Sequence, residues 1–426
     1  MTINTSHQPP ALTLQRIRLA RVATFFGFAQ LGAVMLMWST NTTALRAHLG
    51  WSGEAGDSNF GLMALSIGIG AAIGCFVIGP FIDRYGPRAT CTPTLVIYPL
   101  LYIPLAFLDG LATAMVLGVL IGLLRGAFDT AFNTHGVQVE RYYGRPIMSA
   151  FHAAYPAGGF VVGLVASALA RHYTDSPAVA YVSIGVTMSV LGAVFGRWLL
   201  TREELLPPEP AVMAIQTSSS GRTASRTTLL VMLGFGVLLL GSMLSEGAVL
   251  DWGQEFVRRH ADTTAGFAAA AVTCYSGAQF VGRLFGDRLA EYFGARVIVA
   301  VSGVVGFLGA LLAMVGASAP FALAGFVLLG LGLACMAPLM LSAAGRRDPE
   351  NAGRNIGIVN AVGYVGMLVG PAAITLIVDG FGIGWVPALP SILLLLVAIG
   401  GPLLMKTVPR YSDSEAGVRG MKVADQ

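Results

Sequence analysis

Gly79-Pro-Phe-Ile-Asp83-Arg84-Tyr85-Gly86-Pro-Arg88 recurs 208 residues further on as Asp287-Arg-Leu-Ala-Glu291-Tyr292-Phe293-Gly294-Ala-Arg296, with carboxylate, glycine and arginine in register. The same offset lays Gly330 on Gly122, Asn360 on His152 and Glu246 on Trp38. One such match is chance, whereas several at one offset argue for an internal duplication. Each copy of the string lies between two long apolar runs, so the repeating unit contains several hydrophobic segments.

Composition says what those segments face. Of the 426 residues, 55% are hydrophobic and 11% charged, against roughly 45–50% and about 25% in soluble domains. So few charges cannot cover a globule of this much apolar material, and the rest of the surface must face lipid. An ordinary soluble enzyme is excluded, as are a disordered chain, a collagen and, with four cysteines, a disulfide scaffold. The net charge of +4 is not gathered into a basic stripe with interleaved aromatics, so no nucleic-acid partner is implied.

A membrane helix needs about 20 predominantly apolar residues. Twelve spans are expected, near 19–45, 60–82, 90–108, 113–140, 148–172, 178–200, 228–256, 264–286, 295–316, 319–346, 355–379 and 384–406. The fold class is therefore an all-α integral membrane protein of two pseudo-symmetric six-helix halves. Residues 1–16 read as an N-terminal arm, 17–200 as the first half, 201–227 as a linker rich in Pro and Ser, 228–406 as the second half and 407–426 as a tail. The first eighteen residues are too polar for a cleavable signal peptide. Seventeen lysines and arginines fall on the side of the termini and four (Arg46, Arg171, Arg258, Arg259) on the other. By the positive-inside rule both termini are cytoplasmic.

The paired loops and the twelve spans resemble the major facilitator superfamily, whose signature loop joins the second and third helices. Asp129, Asn133, Glu140, GRPIMSAFHA (Gly144 to Ala153), SEGAVLDW (Ser245 to Trp252) and GRLFGDRL (Gly282 to Leu289) resemble the MosC/YbjJ-like branch of bacterial inner-membrane permeases. The resemblance covers residues 19–405 and implies a monomeric secondary transporter of the bacterial inner membrane with a small polar solute: a sugar, polyol or inositol-like compound. One departure stands out. That branch is expected to carry an arginine three residues after a tryptophan in the first helix, then a proline; here the sequence has Trp38, Asn41 and Thr43. A cationic group is thus expected to be missing from the cavity.

Candidate site residues follow from polarity inside the spans. A charge at the centre of a span costs about 2.5–3.5 kcal/mol on insertion scales, so it must look into protein or water. Arg125, Asp129 and Asn133, spaced by four, share one face of the fourth span. Asp129 is the expected proton carrier, its proton affinity set by whether Arg125 pairs with it or with solute; a permanent structural pair is the alternative. Glu246 in the seventh span is the second proton or solute residue. Asp251 is a gate or a solvated residue, and Trp252 a belt anchor. His152 is either a proton relay or a packing residue. Trp38, Asn41, Tyr155, Tyr275, Gln279, Asn360 and Tyr364 complete the expected solute contacts with Asn133.

The repeated loops are expected to switch conformation. Gly79 would allow close helix packing. Asp83 would pair with Arg88 or Arg141, and Arg84, Gly86, Asp287, Glu291 and Arg296 would contribute to the same gate. The alternative is that these charges are topogenic and solvated.

No Walker, HExxH, CxxC or GxSxG string occurs, so no enzyme chemistry, metal or cofactor is expected. The expected function is proton-coupled import of a small polar solute by alternating access, with the cavity between the halves at mid-membrane. A proton-antiporting exporter of drugs or metabolites is the alternative, and a non-transporting membrane sensor a third reading.

Overall fold

The computed structural model describes residues 12–143, 147–205, 226–316, 318–347 and 352–406; Gly144 and Arg145, most of the expected linker and the whole tail lie outside them. Fourteen α-helices build the described chain. The first half holds α1 (Leu14–Ser39), α2 (Thr42–His48), α3 (Gly53–Tyr85), α4 (Pro87–Leu100), α5 (Leu111–Tyr143), α6 (Met148–His172) and α7 (Ala178–Gly196). The second holds α8 (Arg226–His260), α9 (Ala265–Phe293), α10 (Ala295–Val315), α11 (Ala319–Leu333), α12 (Met336–Arg347), α13 (Ala352–Phe381) and α14 (Ala388–Met405). The short α2 follows the first span, and α11 with α12 forms the tenth, which leaves twelve spans. Eleven are long and apolar enough to cross a membrane; α9 is more polar, carrying Tyr275, Gln279 and Arg283.

Several helices outrun the apolar limits. The second span begins at Gly53 rather than near 60, and the seventh runs to His260 rather than 256. Hydropathy sees the part that crosses lipid, not the polar turns beyond it. The first span stops at Ser39, where Thr40 and Asn41 break it before α2. Its start lies inside the expected arm: Thr13 caps α1 by accepting from the Arg16 backbone N–H at 3.2 Å. Arg16 then bonds the carbonyls of Trp198 and Leu199 at 2.6 and 2.7 Å and the Glu204 carboxylate at 2.6 Å.

The duplication is visible as repeated packing. In the first half α3 packs on α5, α1 on α6 and α4 on α7; in the second α9 packs on α11, α8 on α13 and α10 on α14. A Cβ on Gly122 would meet the Ile67 carbonyl oxygen at 2.0 Å, and one on Gly330 would meet the Tyr275 carbonyl oxygen at 2.2 Å, the same contact one offset later. Such close approach is what small residues give lipid-embedded helices. Gly86 and Gly294, also one offset apart, have φ of +79° and +86° and join α3 to α4 and α9 to α10 without a loop. An L residue with a side chain is strained there. The two halves meet along α6 against α9, α3 against α13, and α1 and α2 against α8.

Candidate functional site

The bonds that seal the halves lie at the end away from the termini. Gln254 of α8 accepts from the Thr42 hydroxyl at 2.8 Å and the Thr43 N–H at 2.9 Å, and donates to the Thr40 carbonyl at 2.7 Å. It thereby satisfies the backbone groups freed where α1 breaks. Thr43 bonds Glu255 at 3.0 Å, Ser39 donates to the Leu250 carbonyl, and Arg259 of α8 reaches Asp57 of α3 at 2.7 Å. Asp57 also pairs with Arg46, whose guanidinium lies 5.3 Å over the Phe60 ring. Arg46, Asp57 and Glu255 are all buried, and buried charges of this kind persist only when paired.

Trp38 and Asp251 form the floor of this seal. The Trp38 indole N–H donates to Asp251 at 3.2 Å while its ring stacks on Phe60 at 5.9 Å. Trp252 is not a belt anchor as expected; it is fully buried and meets Phe60 edge-on at 5.2 Å. The ion-pair cluster needed that ring as its apolar wall, and burial among aromatics outweighed an interfacial position. Asn41 is also in the seal, its amide donating to the Met37 carbonyl at 2.9 Å.

Beneath the floor the polar residues of both halves converge. Tyr364 of α13 donates to the Asp129 carboxylate of α5 at 2.7 Å, and Asn133 donates to the same carboxylate at 3.0 Å. Tyr364 bridges the two halves and is still 39% exposed, so the space around the bond is open. Arg125 lies one helical turn closer to the seal, within electrostatic reach of Tyr98, Tyr155 and Asp251. Glu246 is within reach of Tyr155 and Tyr275, and Gln279 donates to the Tyr275 hydroxyl at 3.3 Å. His152 packs 4.9 Å from the Phe28 ring, and its carbonyl accepts from Arg283 at 3.0 Å. Asn360 is half-buried on α13, one turn from Tyr364.

The gating set is scattered along the termini's end. A Cβ on Gly79 would meet nothing within 4 Å, so this glycine does not serve close packing; helix packing on α3 is carried by Gly70 and Gly74 against α5 instead. The side chains of Asp83 and Asp287 lie outside the described ones, so their expected pairings do too. Arg84 is exposed, with its guanidinium 5.3 Å over the Tyr85 ring and its carbonyl accepting from Arg202 at 2.5 Å. The Arg88 N–H bonds the Leu200 carbonyl at 3.1 Å. Arg141 reaches Gln138 at 3.4 Å, and Glu291 and Arg296 are exposed.

Sequence reasoning missed Arg283 and the sealing residues Arg46, Asp57, Gln254 and Glu255. A signal existed for two of them: the 208-residue offset places Gln254 on Arg46. Arg283 supplies a cation near the site that the first span lacks.

Comparison with known proteins agrees with this architecture. Residues 227–423 match the family model of the Major Facilitator Superfamily. The chain is 29% identical over 381 residues to the uncharacterized transporter y4wD of Sinorhizobium fredii, covering 89% of this chain and 96% of that one.

The second half of the chain matches the Major Facilitator Superfamily.

Another relative is the membrane protein MosC of Rhizobium meliloti, 25% identical over 408 residues and covering 92% of this chain and 93% of that one. The solved D-xylose-proton symporter superposes with a TM-score of 0.69 at 17% identity, over 92% of this chain and 98% of its own. At that identity the likeness is one of fold. The chain thus has a multi-pass, twelve-span fold shared with transporters of this superfamily.

Proposed function

We propose that the protein is a proton-coupled secondary transporter that moves a small polar solute, such as a sugar, polyol or inositol-like compound, across the bacterial inner membrane, with both termini cytoplasmic. It works as a monomer and alternates access around the space beneath the Trp38–Asp251 floor. The observation that carries this reading is the 2.7 Å bond from Tyr364 to Asp129, a neutral donor on one half held by a carboxylate on the other.

That distance falls in the range of a phenol bonded to an ionised carboxylate. Protonation of Asp129 removes the charge that strengthens the bond, and one contact between the halves then weakens. Proton binding and relative movement of the halves are coupled through this single group. Arg125 lies one turn away on the same helix, and His152 lies towards the termini, where a proton would pass. The domain limits 17–200 and 228–406 are the bodies that move, and the loops with Arg84, Arg88, Arg141, Glu291 and Arg296 form the contacts at the termini's end. The MosC resemblance supports a small polar solute.

The test is proton flux in proteoliposomes of wild type and Asp129→Asn, offered inositols, amino-polyols, sugars, sugar acids and cationic drugs. A polar solute should move protons in the wild type only. Equal coupled flux in the variant removes Asp129 from the mechanism, and proton exchange with drugs alone turns the reading into an exporter.

A further inference from the structure

Five charged side chains surround the space beneath the seal, and they divide into two kinds. Asp129 is held by Tyr364 and Asn133, Asp251 by Trp38, and Arg283 by the carbonyls of Ala334 and His152. Arg125 and Glu246 make no hydrogen bond or ion pair with any described residue. Both are half-buried, and their polar atoms are not enclosed, so each opens on the space between the halves.

They also sit at one depth. Arg125 is fourteen residues from Leu111, the sealed-end terminus of α5, and Glu246 is fourteen from His260, the sealed-end terminus of α8. At about 1.5 Å per residue both are some 20 Å down from that end. Tyr155 is within electrostatic reach of both, and neither is the other's partner. A cation from one half and an anion from the other thus flank one tyrosine-lined space, each desolvated in part and neither in a direct ion pair, with Asp251 the carboxylate within electrostatic reach of Arg125. Intramembrane charges of that kind are normally paired, so a missing partner points to a ligand.

We propose that Arg125 and Glu246 are the two ends of one binding site and that its solute is a small zwitterion. The anionic group of the solute meets the Arg125 guanidinium, its ammonium meets the Glu246 carboxylate, and its hydroxyls meet Tyr155, Tyr275 and Gln279. The inference rests on the transporter reading and narrows its substrate class. A solute held this way touches both halves at once, so its binding draws them together.

The experiment uses the full chain in nanodiscs and proteoliposomes, with sugars that differ only in charge: glucose, glucosamine, glucuronate and 2-amino-2-deoxyglucuronate, backed by small metabolites sorted into the same four charge classes. Zwitterions should be the class that raises the melting temperature and enters the vesicles. Arg125→Gln should weaken zwitterion binding about tenfold or more and shift preference towards the cationic class; Glu246→Gln should shift it towards the anionic class. Without solute, each single variant should melt at or above the wild-type temperature. A drop in either that the double variant repairs reveals a structural pair and overturns the proposal.

Flux of neutral solutes alone overturns the charge assignment and leaves the transporter reading standing. Flux of no class removes the transporter reading, while the melting comparison still decides whether the two charges await a ligand.

Discussion

Arg259 holds both carboxylate oxygens of Asp57, at 2.7 and 2.8 Å, from the opposite half of the molecule. The bond sits beside the buried Arg46, which pairs with the same carboxylate. Asp57→Asn would leave the buried Arg46 with only the longer pair to Glu255 at 4.0 Å, at a cost of up to about 3–5 kcal/mol. The variant should melt lower than wild type, and spin labels on the sealed ends of α3 and α8 should report a wider separation. Unchanged distances would mean that the pair does not hold the halves together.

Tyr364→Phe removes the donor to Asp129 and leaves the ring. A hydrogen bond to a charged group contributes about 1.5–3 kcal/mol, so the balance between conformations should shift by roughly ten- to a hundredfold. Solute counterflow, compared with the proton dependence of uptake, would show it: Phe at 364 should loosen the dependence on protons more than it weakens solute binding.

Two glycines should behave oppositely. Gly122→Ala places a methyl 2.0 Å from the Ile67 carbonyl oxygen, and overpacking of this kind costs about 1–3 kcal/mol. Gly79→Ala meets nothing within 4 Å and gains helix propensity, so it should fall within about 1 kcal/mol of wild type on the stabilising side. Melting curves of the two variants in the same detergent separate them, and a large loss for Gly79→Ala would restore its expected packing role.

The Arg16–Glu204 contact predicts a pH response. Burial raises the Glu204 pKa, but the bonds from Arg16 and the Thr201 backbone outweigh it and hold the carboxyl below its usual value of 4.5. The folded-state value is depressed, so the stability from this contact is fully present above about pH 4.5 and is lost as pH falls through the lower folded-state value. Arg16→Gln should melt lower at neutral pH and show a shallower decline in acid. Parallel declines for variant and wild type would assign the acid response to other groups.

The fold was legible because lipid imposes long apolar runs and the duplication repeats its small residues; Gly122 and Gly330 keep one contact and Gly86 and Gly294 one turn. The polar residues of the site were legible because a charge such as Arg125 stands out in an apolar helix. Their partners were not. Tyr364 and Asp129 are 235 positions apart, and only the packing of α13 towards α5 brings them into contact. Asp57, Glu255 and Arg259 lie at helix ends, where a charge in the sequence looks like one that water solvates; that the ends of α3 and α8 converge and exclude water is a tertiary fact.

The seal is made largely from groups that water can also satisfy: the Gln254 amide, the hydroxyls of Thr42 and Thr43, and the carboxylates of Asp57 and Glu255. A lock of interdigitated leucines would have to expose oil to open. This one can be unfastened one bond at a time by entering water molecules, each taking over a partner as it is released. Its hold is therefore set by hydration: the buried pairs are screened little by dissolved salt, and it is entering water that eases this door open.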